Sequence, residues 1–174
     1  MKKTLLILSA ILLVGCASGP KRPDWITKGA GAFPKDSKVY YGVGIAEGIK
    51  SEPLRRSTAD NRAIAEVSKQ VTVISTSLMN DYMASTTATD AERSSGEQYV
   101  ESTVKSFATN SLSGVKITDR WDNGKKAYSL AELNIEDMKK AAEQANELNE
   151  SVKKYIKENA DKAFEKLEAE QSKQ

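Results

Sequence analysis

The chain has 174 residues, with 26 Lys+Arg, 24 Asp+Glu and no histidine. That length holds one domain with a real hydrophobic core. The missing histidine removes the usual general base and the commonest metal ligand, and a single cysteine excludes both an intramolecular disulfide and a zinc–cysteine site.

Lys2 and Lys3 precede an almost wholly apolar run, Leu5 to Val14. The run is too short for a hydrocarbon core of about 30 Å, which needs about 20 residues. A basic start and a short apolar stretch are features of a secretory signal. The stretch closes on Leu13-Val14-Gly15-Cys16, where an ordinary signal would show an Ala-x-Ala pattern. These residues read as a lipobox, in which the Cys16 thiol is acylated and the chain is cut before it. Residues 1–15 are then a signal peptide, and acyl chains tie the rest to a membrane. Each buried CH₂ contributes about 0.8 kcal/mol, and one chain binds only marginally, so several anchor far better. Ala17, in the position after Cys16, is not aspartate, which resembles lipoproteins sent to the outer membrane. Loss of Lys2 and Lys3 leaves basic and acidic side chains equal in number. A neutral mature chain has no global pull towards nucleic acid.

Residues 16–37, with Pro20, Pro23 and Pro34, read as a lipidated N-terminus and flexible tether. About 20 residues reach at most about 70 Å. Trp25 within it has two readings, a lid packed on the domain edge or an aromatic at the membrane interface.

An α+β lipoprotein domain is expected over residues 38–134. Val39 to Ala46 is its clearest strand: Val39, Tyr41, Val43 and Ile45 alternate with Tyr40, Gly42, Gly44 and Ala46. The small second face would let a helix backbone approach closely. Ser51 is a plausible N-cap, with Glu52 and Pro53 in the first turn of a helix to about Gln70. Leu54, Ala59, Ala63, Ile64 and Val67 form its apolar stripe, while Arg55, Arg56, Arg62 and Lys69 lie mainly on a solvated face. Val71-Thr72-Val73-Ile74-Ser75-Thr76 is dense in β-branched residues and predicts a strand starting near Val71. A single long helix is the alternative, since Val71, Ile74, Leu78 and Tyr82 continue the 3–4 spacing.

Residues 84–96 are polar and rich in Ser, Thr and Ala, the composition of a mobile connection. Ser94 with Glu97 and Ser95 with Gln98 both fit a capping box, predicting a helix to about Asn110 that buries Val100, Val104 and Phe107. Asp122-Asn123-Gly124-Lys125 predicts a type I′ hairpin over 113–134. A two-residue turn opposes Trp121 to Lys126, Asp119 to Tyr128 and Ile117 to Leu130. Val115, Ile117, Trp121, Tyr128 and Leu130 then share one face, with Lys116, Thr118 and Arg120 pointing away.

Residues 135–174 read as one amphipathic charged helix capped by Asn134, with Met138, Ala141, Ala145, Leu148, Val152 and Tyr155 at 3–4 spacing. Glu136–Lys140, Glu150–Lys154 and Glu158–Lys162 are favourable i,i+4 pairs. Its second half is expected to project, or to pair with a helix of another envelope protein.

No catalytic constellation, cofactor motif or metal-ligand set stands out, so the expected protein is not an enzyme and binds no cofactor. Gly42-x-Gly44-x-x-Glu47-Gly48 comes close to a dinucleotide fingerprint, but Glu47 replaces the third glycine and no repeated βαβ pattern follows. Close strand–helix packing explains these glycines better.

The lipobox, Pro23-Asp24-Trp25-Ile26, Tyr41-Gly42-Val43-Gly44-Ile45-Ala46 and the helix from Ala59 to Ala65 leading into Val71-Thr72-Val73 occur in order. With Ile117-Thr118-Asp119-Arg120-Trp121 and Ala127-Tyr128-Ser129-Leu130-Ala131, they resemble the LPP-twenty lipoprotein family over about residues 16–134. The resemblance implies a small α+β domain on the outer membrane. Some relatives are surface antigens and others support flagellar motility. It supplies no catalytic residue, and the C-terminal helix lies outside it. The expected architecture is α+β: a small, mainly antiparallel sheet of three to four strands, including a hairpin, packed by helices and followed by a long C-terminal helix. Three roles follow as expectations: an envelope binding or structural module, an accessory to an envelope machine, or a periplasmic carrier of an apolar ligand.

Overall fold

The computed structural model describes residues 21–34, 37–85, 102–146 and 148–171. Leu13, Val14, Gly15 and Cys16 lie outside them, as do Ser94, Ser95 and Val100. Helix α1 (Trp25–Lys28) runs into a 3-10 turn (Gly29–Ala32) ahead of strand β1 (Val39–Glu47). Helix α2 (Glu52–Ser85) and a helix α3 over 102–111 follow. Strands β2 (Lys116–Asp122) and β3 (Lys126–Asn134) lead to helices α4 (Ile135–Gln144) and α5 (Glu150–Gln171). The sheet is antiparallel in the order β1-β3-β2. The class is α+β, with three strands.

No strand begins at Val71; α2 is one helix from Glu52 to Ser85. Val67, Val71, Ile74 and Leu78 recur every three or four residues and are all at most 1% exposed. Burying such a side chain contributes roughly 1.5–3 kcal/mol. The whole β-propensity scale spans only about 1 kcal/mol, so the buried stripe decides the conformation. The hydroxyls do not oppose it. Thr72, Ser75 and Thr76 donate to the carbonyls of Ser68, Val71 and Thr72 at 2.9, 2.7 and 2.8 Å.

The hairpin forms in a different register. Trp121 opposes Tyr128 and Asp122 opposes Ala127. Asn123 accepts from the N–H groups of Lys125 and Lys126, and Asp122 from that of Gly124, whose φ is +84°. These side-chain bonds build a longer turn than a two-residue type I′. A bulge between Ile117 and Asp119 then shifts the pairing. A one-residue slip changes the face of every residue beyond it. Val115 and Ile117 pack into the core on the helix side, while Trp121, Tyr128 and Leu130 stay together on the other side. Arg120 turns towards α2 rather than away.

The C-terminal region is two helices rather than one. Asn134 caps α4 by accepting from the Glu136 N–H at 2.8 Å, as expected. The helix ends before Ala145, and Asn149 restarts it by accepting from the Val152 N–H at 2.9 Å. Lys157 reaches Glu143 and Lys139 reaches Asp161, so α5 returns alongside α4. Its apolar stripe does not project. Val152, Ile156, Ala160 and Phe164 are at most 3% exposed and share one core with Val67, Leu78, Phe107, Leu133 and Met138. Helices α4 and α5 therefore share one core with β1, α2, α3 and β3 rather than forming a separate segment. The expected intrahelical pairs are replaced mainly by i,i+3 pairs, Glu136–Lys139 and Glu150–Lys153, although Lys154 does reach Glu158 at 4.0 Å.

Candidate functional site

The sheet's face away from α2 is covered by the segment expected to be tether. Trp25 is 5% exposed and Ile26 8%, packed with Tyr128 and Leu130, and with Tyr41, Val43 and Trp121 around them. The Trp25 indole N–H donates to Asp119 at 2.8 Å. Phe33 stacks on Tyr41, with ring centroids 3.9 Å apart. Of the two readings of Trp25, the lid is the one the structure shows.

The opposite face receives α2. A Cβ on Gly42 would meet the Ala63 carbonyl oxygen at 2.3 Å, and one on Gly44 the Ala59 carbonyl oxygen at 2.0 Å. The glycines therefore admit the helix backbone. The space that a pyrophosphate would need over this motif is filled by α2, which begins at Glu52 rather than directly after Gly48.

β1 is an edge strand. The Ile135 N–H donates to the Lys38 carbonyl at 3.0 Å, which fixes the parity of the ladder. Backbone groups of even-numbered residues point to β3, and those of Tyr41, Val43 and Ile45 point outward. Gln70 donates to the outward carbonyl of Tyr41 at 2.8 Å and Arg62 to that of Ile45. Side chains read from sequence as solvated or unremarkable thus shield a strand edge. Their spacing on one face of α2 is the only signal the sequence carries for this, and it needs the position of β1 to be interpreted.

Where the β1 edge begins, a groove of about 460 Å³ opens among Phe33, Tyr40, Tyr41, Gln70, Phe164 and Leu167. The Tyr40 ring meets Phe164 edge-on at 4.8 Å, and its hydroxyl is buried without a hydrogen-bond partner among the described residues. Burial, with the carboxylates of Glu168 and Asp161, pushes this phenol well above its ordinary value of 10.0. It stays protonated as a donor.

Two polar networks tie α2 to the hairpin. Arg55 donates to Asp122 and to the Ile49 carbonyl. Asp60 accepts from Arg120 at 2.9 and 3.0 Å and from Ser129 at 2.6 Å. Desolvation opposes ionisation of Asp60, but the bonds from Arg120 and Ser129 outweigh it and hold the carboxyl below its ordinary value of 3.8. At the other end of the sheet Lys139 and Lys38 hold Asp161 below that value too. These networks join α2 to the hairpin, and α4 and the start of β1 to α5. Among the described residues no three His, Cys, Asp or Glu side chains gather as a metal site, and no helix is long and apolar enough to cross a membrane.

The fold and these features define an α+β domain whose sheet carries helices on one face and an N-terminal lid on the other. No family model and no curated protein matches the sequence.

Proposed function

We propose that the chain is a non-enzymatic lipoprotein of the bacterial outer membrane, anchored through Cys16, whose folded domain is a binding or structural module of the cell envelope. The observation that carries this is Leu13-Val14-Gly15-Cys16 closing a short apolar segment after Lys2 and Lys3. The Arg55–Asp122, Asp60–Arg120 and Lys139–Asp161 pairs support a structural role for these groups, since each joins one element to another. Contact with an envelope partner through the C-terminal region would use the outer, charged side of α5, because its apolar side is buried. The LPP-twenty resemblance supports a place beside an envelope machine such as the flagellum.

Cys16→Ser tests the anchor. The parent is expected to incorporate labelled palmitate and to sediment with outer membranes. The variant is expected to lose the label and to leave that fraction or stay uncleaved. Unchanged acylation and fractionation would refute the proposal.

The groove beside Tyr40 favours a second reading, a carrier of an apolar ligand bearing a hydrogen-bond acceptor. Native mass spectrometry of protein purified without detergent is expected to retain such a ligand, and Tyr40→Phe to lose it. A parent spectrum showing the bare chain alone counts against the carrier.

A further inference from the structure

The two ends of the sheet differ in charge. At the hairpin end, Glu47 closes β1 and pairs with Lys126 at the start of β3. Arg22 lies over the Tyr128 ring at 5.9 Å, so the chain enters the described fold here. Lys50 follows β1 and Lys125 occupies the hairpin turn. The nearby carboxylates Asp24, Glu47, Glu52 and Asp122 pair with Lys28, Lys126, Arg56 and Arg55, and Asp119 accepts from the Trp25 indole. Lys21, Arg22, Lys50 and Lys125 are exposed. None of them forms an ion pair among the described residues, so this end carries surplus positive charge. Leu54, in the first turn of α2, adds an apolar side chain that is 57% exposed. At the far end Lys139 pairs with Glu136 and Asp161, Lys38 with Asp161, and Lys116 and Lys140 with Asp137.

We infer that the hairpin end docks on an anionic phospholipid surface, with Lys21, Arg22, Lys50 and Lys125 meeting headgroup phosphates and Leu54 entering the interface. This rests on the anchor proposed at Cys16. The link from Cys16 to Lys21 spans at most about 18 Å, so the acyl chains hold this end of the fold near the headgroups. The field of an anionic bilayer decays over about 8 Å at physiological salt. A tether this short lets fixed charges settle inside that layer while binding is effectively intramolecular. Basic side chains beside an acyl anchor supply a second attachment where one is marginal.

The test uses lipidated protein carrying a nitroxide at Ser51→Cys, or at Lys140→Cys at the far end. It is reconstituted in vesicles of phosphatidylglycerol with phosphatidylcholine, or of phosphatidylcholine alone. In anionic vesicles the label at 51 is expected to be shielded from an aqueous nickel relaxant and open to oxygen, with the label at 140 aqueous in both. Replacing Lys21, Arg22, Lys50 and Lys125 together by Gln should return the label at 51 to aqueous values, each lost cation weakening docking about fivefold. An aqueous label at 51 in anionic vesicles, with an acyl adduct on Cys16 in the intact mass, overturns the docking alone. A mass without the adduct overturns the anchor, and the docking with it.

Discussion

Gly44→Ala isolates what the glycine face of β1 does. A Cβ there would lie 2.0 Å from the Ala59 carbonyl oxygen and 2.4 Å from the Ala63 nitrogen, both backbone atoms of α2. Neither can rotate away, so strand and helix must separate by about 1 Å to reach the 3.0 Å below which real Cβ contacts essentially never fall. Overpacking of this kind costs about 1–3 kcal/mol, occasionally more. Rigid backbone on both sides puts Gly44→Ala near the top, about 3 kcal/mol. The unfolded chain acts in the opposite direction: Gly→Ala at a compatible site stabilises by about 0.4–1 kcal/mol. Gly31, where an added Cβ meets nothing within 4 Å, supplies that control. With a urea m-value near 2 kcal/mol/M, the Gly44→Ala midpoint should fall by about 1.5 M, while Gly31→Ala stays level or rises slightly. Circular dichroism against urea measures both. A Gly44→Ala protein as stable as its parent would show that α2 does not lie against β1 at this distance, and the packing account of the glycine motif would fail.

Acid should weaken the α2–hairpin junction in a way that depends on Asp60. Its carboxyl is held below 3.8 in the folded state; its stabilisation is complete above the unfolded value and is lost as pH falls through the lower folded one. The gap in urea midpoint between parent and Asp60→Asn should therefore narrow from about pH 6 to about pH 3, and a constant gap would remove the linkage. Arg62→Ala with Gln70→Ala uncovers the outward carbonyls of Ile45 and Tyr41, so light scattering should detect more concentration-dependent association through β1 than in the parent. A variant as monomeric as its parent at every concentration would mean that these side chains do not guard the edge. Trp25→Phe keeps most of the lid's packing but deletes the indole bond to Asp119, at a cost of about 1 kcal/mol. Trp25→Ala should release the lid, and faster hydrogen exchange confined to residues 24–33 and β3 distinguishes release from global unfolding.

Much of the chain could be read one residue at a time. The alternation of β1, the helix beginning at Ser51, the cap at Asn134 and the turn at Asn123-Gly124 depend on local backbone preferences and on the period of the apolar residues. The α+β class followed from these. The lipobox reading of Leu13-Val14-Gly15-Cys16 rests on the sequence alone and lies outside the described residues. Where local signals conflicted, only packing could choose. Val71 to Thr76 carries strong β-branching and a helical stripe together, and burial of that stripe made it helix. The bulge at β2 and the reversal at Asn149 leave no strong local mark, because each is set by what lies opposite: the lid for Asp119 and Trp121, α2 for Val152 and Phe164. The lid, the guarded β1 edge, the Tyr40 groove and the basic hairpin end join residues far apart in the chain. A sequence names such residues singly, and only the fold decides which of them meet.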